Sequence, residues 1–167
     1  MKIFQNIQIK PLYDVEELLY VLQNAEDYVI KADGVMPDLN MAEAILKEKP
    51  PGTQEFQKIV LGIYYKDQII GFFDLILDYP NQSTMHIGLL LIVKTYRAKG
   101  FGTLLINELK DIASFLGYKK LRAAIIEENK SVEKFWLKSG FTAAGIIKEF
   151  EGKNNRSSCG IYECVIQ

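Results

Sequence analysis

The order of apolar and polar residues predicts a chain of alternating strands and helices. Residues 3–9 alternate between apolar and polar side chains, which is typical of a strand, and Pro11 ends it. Asp14 is a suitable N-cap for a helix over residues 15–22, where apolar residues recur at helical spacing. A second helix is predicted from about Asp38 to Lys49, before a Pro-Pro-Gly sequence that ends it.

The middle of the chain is rich in β-branched and aromatic residues, which predicts three strands. They cover residues 56–65, 69–78 and about 84–93, and a Lys-Asp-Gln turn joins the first two as a hairpin. After Gly102 the apolar residues return to helical spacing until Gly117, which predicts a long amphipathic helix. The remaining predicted elements are a buried strand at 121–126, a short helix at 129–139 and two strands at 142–150 and 158–166.

These elements predict a mixed α/β fold in a single domain that covers residues 1–167. The strand, helix and strand between residues 84 and 126 need a crossover connection, so the two strands are expected to be parallel neighbours. Hairpin signals elsewhere favour antiparallel pairs. The sheet is therefore expected to be mixed, with helices packed on it.

Composition narrows the function classes. The chain has 167 residues, of which 49% are hydrophobic and 25% charged, and such a chain can bury a substantial core. The formal net charge is −1, so no general affinity for nucleic acid or for an anionic membrane is expected. The charge is divided unevenly, because residues 1–84 carry 7 Lys against 13 Asp and Glu, whereas residues 85–167 carry 13 Lys and Arg against 8 Asp and Glu.

Neither a membrane-spanning segment nor a signal peptide is predicted. The apolar run from Ile87 to Val93 is far shorter than the roughly 20 residues that span a bilayer. The first residues mix Gln and Asn with apolar side chains, unlike a signal peptide, so a cytoplasmic protein is expected. Cys159 and Cys164 would lie on opposite faces of one strand, which predicts two reduced, structural thiols and no metal site.

The strongest functional signal lies between the third predicted strand of the middle segment and the long helix. Gly100 and Gly102 remove side chains from this loop, and the helix that follows begins with unpaired N–H groups. A helix start of this kind favours an anion such as a diphosphate, and Lys94, Arg97 and Lys99 add positive charge. A glycine turn before a helix is also an ordinary change of direction, so both interpretations are open at this point.

Two sequence motifs narrow the choice. Arg97-Ala98-Lys99-Gly100-Phe101-Gly102 resembles the Arg/Gln-x-x-Gly-x-Gly/Ala signature of the GNAT superfamily of N-acetyltransferases. The segment from Asn129 to Phe141 resembles the family's Asn-x-x-Ala-x-x-hydrophobic-Tyr-x-Lys-x-Gly-Phe helix. A P-loop is excluded because no Gly-Lys-Ser/Thr sequence is present, and a dinucleotide fingerprint because Leu105 stands where a third glycine is needed.

The resemblance implies acetyl-coenzyme A as the donor and a primary amine as the acceptor, which attacks directly in a ternary complex. It implies a mostly antiparallel central sheet in which a parallel strand pair splays at the cofactor site, with helices on both faces. A backbone N–H near Val93 would stabilise the oxyanion. The residues that the resemblance implies at the cofactor are Leu91, Ile92, Val93, Arg97, Ala98, Lys99, Gly100, Phe101, Gly102, Thr103, Asn129, Phe135 and Trp136.

The acid and the base of the reaction do not follow from the resemblance. Trp136 stands where many relatives have a Tyr that can protonate the departing thiolate, and an indole N–H is not a useful proton donor. Asp74 lies in an apolar strand, where a carboxylate needs partners or a cleft, so it is either the base at the substrate or a hydrogen-bonded structural acid. His86 is expected at the surface or the rim, Tyr79 in a turn, and both are further candidates for substrate contact. Tyr96 is expected as a packed aromatic residue.

Several alternatives stay open. The acceptor is expected to be a small-molecule or peptide amine, and the acidic first half suggests a cationic one, although ordinary helix-surface acids also explain these charges. A GNAT-like module that binds coenzyme A with little or no catalysis is the alternative function, because Trp136 replaces the expected Tyr. Homodimers are common in the family, and no feature of this sequence requires one. Nucleic-acid binding is a weak third candidate, and it would use Lys110, Lys119, Lys120 and Arg122.

Overall fold

Seven strands form one mixed sheet, and α-helices pack on both of its faces. The computed structural model describes residues 3–127 and 129–167. The strands are β1 (Ile7–Pro11), β2 (Lys58–Tyr65), β3 (Gln68–Leu77), β4 (Thr84–Ile92), β5 (Lys120–Ile126), β6 (Thr142–Glu151) and β7 (Arg156–Val165). The helices are α1 (Val15–Gln23), α2 (Glu26–Asp33), α3 (Leu39–Lys47), α4 (Phe101–Phe115) and α5 (Lys130–Lys138).

The strand order is β1-β2-β3-β4-β5-β7-β6, with antiparallel pairing throughout except between β4 and β5. This parallel pair follows from the crossover through α4, as the sequence predicts. Its pairing is short, because Thr84–Ile87 face Lys120–Ala123 and the strands separate beyond these residues. The mixed sheet and its splayed parallel pair are thus confirmed.

A β-bulge in β4 accompanies this separation. Asp74 of β3 lies opposite Leu89, and the next residue, Leu75, lies opposite Ile87, so Gly88 is an extra residue in β4. The bulge also reverses the faces of the strand. Ile87 packs in the core under α4, whereas Leu91, which would share its face in a regular strand, packs under α1.

The sheet separates two hydrophobic cores. The core beneath α4 and α5 includes Phe73, Leu105 and Trp136, and the core beneath α1 and α3 includes Leu18 and Phe72. A smaller cluster beneath α2 joins Ala32 to Ile126 and Cys159. Cys159 and Cys164 are free thiols that pack in different cores, as their odd spacing predicts.

Two predictions at the N-terminal end of the chain are wrong. Ile3–Asn6 form a 3-10 helix rather than the start of a strand, because β2 ends at Tyr65 and offers residues before Ile7 no partner. No helix is predicted between α1 and α3, but α2 lies there; it follows α1 after only two residues and ends at Gly34 in a left-handed conformation. The N-cap of α1 is as expected, since Asp14 accepts the N–H groups of Glu16 and Glu17.

Helix α2 spans the gap between the diverging strands. At its N-terminal end, Asp27 forms an ion pair with Arg97 in the loop after β4. At its C-terminal end, Asn155 in the β6–β7 turn donates from Nδ2 to the carbonyl of Lys31, and the N–H of Asn154 donates to the carbonyl of Asp33. The helix is therefore attached to both halves of the sheet.

Candidate active site

A cleft of about 620 Å³ opens where β4 and β5 separate. Residues 87–92 of β4 form one wall and residues 124–126 of β5 the other. The loop at residues 97–103, the start of α5 and one side of α2 complete the lining. Because the two strands do not pair here, their facing edges are available to a ligand.

The direction of the N–H groups along β4 corrects the predicted oxyanion donor. The N–H of Val93 donates to the carbonyl of Ile70 at 2.8 Å, so it points to β3 and is already bonded. N–H groups of successive residues in an antiparallel strand point to opposite edges, so those of Ile92 and Leu90 face the cleft. The candidate donors are therefore Leu90 and Ile92 rather than Val93.

The loop and the start of α4 have the conformation that the glycines predict. Gly100 is the N-cap of α4 with a φ of 87°, and no side chain caps this helix end. A Cβ at Gly102 would lie 2.9 Å from the Phe135 ring, so the glycine permits the close approach of α5. Gly100, Gly102 and Thr103 at the positive end of α4 line the cleft, which is a suitable place for a diphosphate.

Arg97 is held in this loop by two hydrogen bonds. Its Nε donates to the carbonyl of Ile92 at 2.8 Å, and its Nη1 donates to Asp27 Oδ2 at 2.7 Å. The hydrogen bond and the charge of Arg97 lower the pKa of Asp27. The Nη2 atom of Arg97 is buried and has no partner among the described residues. An unpaired guanidinium nitrogen beside an open helix start fits an anionic ligand.

The structure brings most of the predicted cofactor residues to this cleft. The lining includes Leu91, Ile92, Arg97, Ala98, Gly100, Gly102, Thr103, Asn129, Phe135 and Trp136. Three predicted residues lie elsewhere. Val93 is buried under α1, Phe101 packs in the core against Tyr65 and Tyr96, and the ammonium of Lys99 lies 5.8 Å from the Tyr96 ring centre. Tyr96 is thus a packed aromatic residue.

Aromatic side chains form the end of the cleft beside α5. Trp136 is 7% exposed, and its ring packs edge-on against those of Phe135 and Phe141, with centroid-to-centroid distances of 5.4 and 4.8 Å. Asn129 is the N-cap of α5, and its side chain accepts a hydrogen bond from Ser131 Oγ at 3.1 Å. Trp136, which stands where the sequence motif predicts a tyrosine, contributes no hydroxyl to the cleft.

Helix α2 contributes residues that the sequence analysis does not find. Asp27, Tyr28 and Lys31 line the cleft. Burial is the largest cause that raises the pKa of Tyr28 to about 12, so its hydroxyl stays protonated and can donate a hydrogen bond. Glu26 and Asp27 are acidic residues of the kind that favours a helix start, and Gly34 is a residue of the kind that ends a helix, so the sequence is compatible with a short helix here. Nothing in the sequence indicates that this helix crosses the cleft.

Asp74 lies at the bulge and is paired with Lys58. The Lys58 ammonium donates to Asp74 Oδ1 at 2.5 Å, and the two side chains are 7% and 17% exposed. A Cβ at Gly88, which lines the cleft, would lie 3.5 Å from Asp74 Oδ2. Burial raises the pKa of Asp74, and the charge of Lys58 opposes this effect. The carboxylate is therefore both a partner in an ion pair and a neighbour of the cleft.

The other predicted substrate residues form a separate cluster at the start of β4. His86 is half-buried, its ring lies 5.5 Å from that of Tyr79, and its Nδ1 lies 3.1 Å from Nη1 of Arg122. Burial and the charges of Arg122 and Lys148 lower the pKa of His86 to about 4. His86 is therefore neutral near pH 7.

The cations considered for nucleic-acid binding do not form an exposed patch. Lys110 donates to the carbonyl of Ser139, Lys120 pairs with Glu163 at 2.9 Å, and Arg122 is buried. Residues 3–127 and 129–167 contain no cluster of three or more acidic, His or Cys side chains arranged for a metal ion. No helix in these ranges has the length and apolar character needed to cross a bilayer.

Known proteins share this fold over the whole chain. An acetyltransferase from Thermus thermophilus is 19% identical, with 99% of each chain covered and a TM-score of 0.78. A spermidine N-acetyltransferase from Vibrio cholerae, solved with CoA and spermine, is 14% identical, with 96% of each chain covered and a TM-score of 0.73. The microcin C7 self-immunity acetyltransferase MccE, solved with acetyl-CoA and AMP, is 25% identical, covers 99% of this chain and 96% of its own, and has a TM-score of 0.76.

Sequence comparison identifies the family independently of these structures. No protein of curated function matches the sequence significantly. The family model described as an acetyltransferase (GNAT) domain matches residues 7–158. These residues include the cleft, the loop before α4 and both sequence motifs. The chain belongs to the GNAT acetyltransferase family.

Proposed function

We propose that this protein is an acetyl-CoA-dependent N-acetyltransferase that transfers the acetyl group to a primary amine by direct attack in a ternary complex. The observation that carries the proposal is the cleft between β4 and β5, where an open strand edge leads to an uncapped helix start. Two structural neighbours, solved with CoA or acetyl-CoA, support this choice of donor.

The residues around the cleft fit the parts of acetyl-CoA. When bound, this molecule supplies an acetyl group activated as a thioester. The α4 start, which no side chain caps, and Arg97 Nη2, which has no partner among the described residues, would hold the diphosphate. The open edge of β4 would pair with the amide groups of the pantetheine arm. Trp136 and Phe135 would enclose the thioester in an apolar pocket.

The chain's own groups can stabilise charge and remove a proton. The N–H groups of Leu90 and Ile92 face the cleft, where they would stabilise negative charge on the acetyl oxygen. Asp74 would accept the proton of the incoming ammonium, directly or through water, because its Oδ2 adjoins Gly88 in the cleft wall. A raised pKa brings this carboxylate closer to the range in which a base works near neutral pH.

The test of activity is thiol release from acetyl-CoA in the presence of a panel of amines. The panel includes polyamines, amino acids, aminoglycosides and an N-terminal peptide, and mass spectrometry identifies the acetylated product. Amine-dependent release with an N-acetyl product supports the proposal. Tight CoA binding without acetylation of any amine would instead favour the module that binds coenzyme A with little catalysis.

A variant of the α4 start tests the donor site separately. Thr103→Glu places a carboxylate in the cleft, and we expect it to weaken CoA binding at least about tenfold because negative charge at a helix start repels a diphosphate. Asn107→Glu adds the same charge one turn further along α4, outside the lining, and should bind CoA as the wild type does. The single tryptophan, Trp136, lines the cleft, so its fluorescence reports binding. Equal affinities for all three proteins would contradict this placement of the diphosphate.

A further inference from the structure

Arg122 is a buried cation without a counter-ion. Its residue surface is only 4% exposed, and a guanidinium keeps its charge at every working pH. Buried charges in proteins are normally paired, because an unpaired one loses its hydration without compensation. The partners of Arg122 therefore need to be accounted for.

The described residues supply no carboxylate to this guanidinium. A hydrogen bond joins its Nη1 to Nδ1 of His86, and the Tyr79 ring centre lies 5.8 Å from Cζ. Glu163 is the residue opposite Arg122 in the β5–β7 ladder, but its carboxylate pairs with Lys120 at 2.9 Å. No carboxylate of residues 3–127 or 129–167 lies within 4.0 Å of the Arg122 guanidinium.

His86 adds a second donor rather than a negative charge. Its imidazole is neutral near pH 7, because burial and the neighbouring cations lower its pKa to about 4. A guanidinium can only donate, so Nδ1 of His86 accepts and Nε2 carries the proton. The cluster of Arg122, His86 and Tyr79 thus has an excess of hydrogen-bond donors and one uncompensated positive charge.

This cluster lies on the same face of the sheet as α2, beside the cleft. Leu121 and Ala123 pack in the core under α4, so Arg122 between them faces the opposite side, as Ile126 does beneath α2. Arg122 and His86 are opposite each other in the parallel ladder. Gly88 and Ala124, which line the cleft, are two residues further along each strand, a distance of about 7 Å.

We propose that Arg122 and His86 bind an anionic oxygen group, a carboxylate or a phosphate, of the acceptor. The acceptor is then an amine that carries an acidic group several bonds from its nitrogen, with the nitrogen at the acetyl group and the acid at Arg122. The planar guanidinium suits both anions, since it donates two parallel hydrogen bonds to either. This inference rests on the proposed function and specifies its acceptor.

The experiment compares acceptors that differ only in their acid. The pairs are 6-aminohexanoate with 6-aminohexanamide, and 3-aminopropyl phosphate with 3-aminopropanol. For the wild type we expect kcat/KM to be at least about tenfold higher for the acid of one pair or of both, and the preferred pair distinguishes carboxylate from phosphate. Equal kcat/KM within both pairs would overturn the proposal.

Two variants separate a binding role from a structural one. Arg122→Met should abolish the preference by lowering kcat/KM for each acid to that of its neutral match, and should keep the Tm at or above that of the wild type, because it removes an unpaired buried charge. Lys119→Met removes the same charge from an exposed position just before β5, and should retain the preference. A large fall in Tm for Arg122→Met, or an equal effect of both variants, would overturn the assignment.

If the proposed acetyltransferase activity is not found, a separate binding measurement still tests the anion site. If the wild type acetylates no amine, calorimetry of the CoA-loaded protein with each of the four probes tests the site directly. Tighter binding of an acid than of its neutral match, lost in Arg122→Met, supports the anion site without catalysis. Equal binding of acid and neutral probes would overturn it.

Discussion

Asp74 combines two properties that rarely occur in one carboxylate. Its Oδ1 is held by Lys58, which fixes the side chain, and its Oδ2 adjoins the cleft beside Gly88. Burial favours the neutral acid, and Lys58 favours the carboxylate, so the two effects oppose each other. The net result is a raised pKa in a group that remains fixed in position.

The pH profile of Asp74 variants tests its role as the base. A base acts when deprotonated, so kcat/KM should rise with pH through the pKa of Asp74, above the ordinary value of 3.8. Asp74→Asn should lose this rise and lower kcat by about a hundredfold or more, with CoA affinity unchanged. Asp111→Asn, an exposed acid on α4, is the control.

A variant of Lys58 tests the role of Asp74 in a second way. Because its charge lowers the pKa of Asp74, Lys58→Gln should move the acidic limb of kcat/KM to higher pH. An unchanged limb in Lys58→Gln, or wild-type turnover in Asp74→Asn at every pH, would remove Asp74 from the mechanism.

The placement of single residues could be predicted where the local backbone conformation alone decides their role. Gly100 and Gly102 stand in a motif that specifies a turn and a close approach, and the structure places both at the cleft. The direction of the Val93 N–H could not be predicted, because the edge to which an N–H points depends on the register with β3. The unpaired charge of Arg122 was not predictable either, because it follows from where Glu163 and Lys120 lie in space.

Elements were predictable where their apolar pattern is long and regular. The hairpin of β2 and β3, the crossover through α4 and the last strand pair all follow from periodicity and turn residues. Helix α2 was missed because it has only eight residues and begins after Ala25, which supplies no side-chain cap. Its position across the cleft depends on contacts with Arg97 and Asn155, which are distant in sequence.

Neighbouring asparagines test the attachment of α2. Asn155→Ala removes the Nδ2 hydrogen bond to the carbonyl of Lys31, so we expect the free energy of unfolding to fall by about 1 kcal/mol. Hydrogen exchange of the α2 amides should accelerate. Asn154→Ala is the matched control, because Asn154 donates through its backbone N–H and should behave as the wild type. Equal exchange in both variants would show that the Asn155 side chain does not hold the helix.

At the scale of the whole molecule, the acidic and basic halves of the chain form ion pairs with each other. Arg97 of the second half pairs with Asp27 of the first, and Lys153 lies 3.9 Å from Asp38. Some acidic residues of the first half and basic residues of the second half therefore neutralise each other in ion pairs within the fold. Asp27 in particular is engaged by Arg97, so it is not a free charge that attracts a cationic amine.

The increase in stability caused by bound CoA tests whether CoA binds in the cleft between β4 and β5. CoA at about 100 times its Kd should stabilise the protein by about 2.7 kcal/mol. For a domain of this size, that corresponds to a rise in Tm of about 5–10 °C, measured by differential scanning calorimetry. Thr103→Glu should show a smaller rise at the same CoA concentration. A wild-type Tm that CoA leaves unchanged would contradict a binding site between β4 and β5.

The unpaired strand edges inside the cleft have a consequence for solubility and selectivity together. Exposed edges at the border of a sheet attract other extended chains and promote aggregation. Here the edges of β4 and β5 lie within the molecule, and α2 crosses the gap between them. The unpaired edges of β4 and β5 are therefore offered to a ligand inside the cleft and not to the strands of other proteins at the border of the sheet.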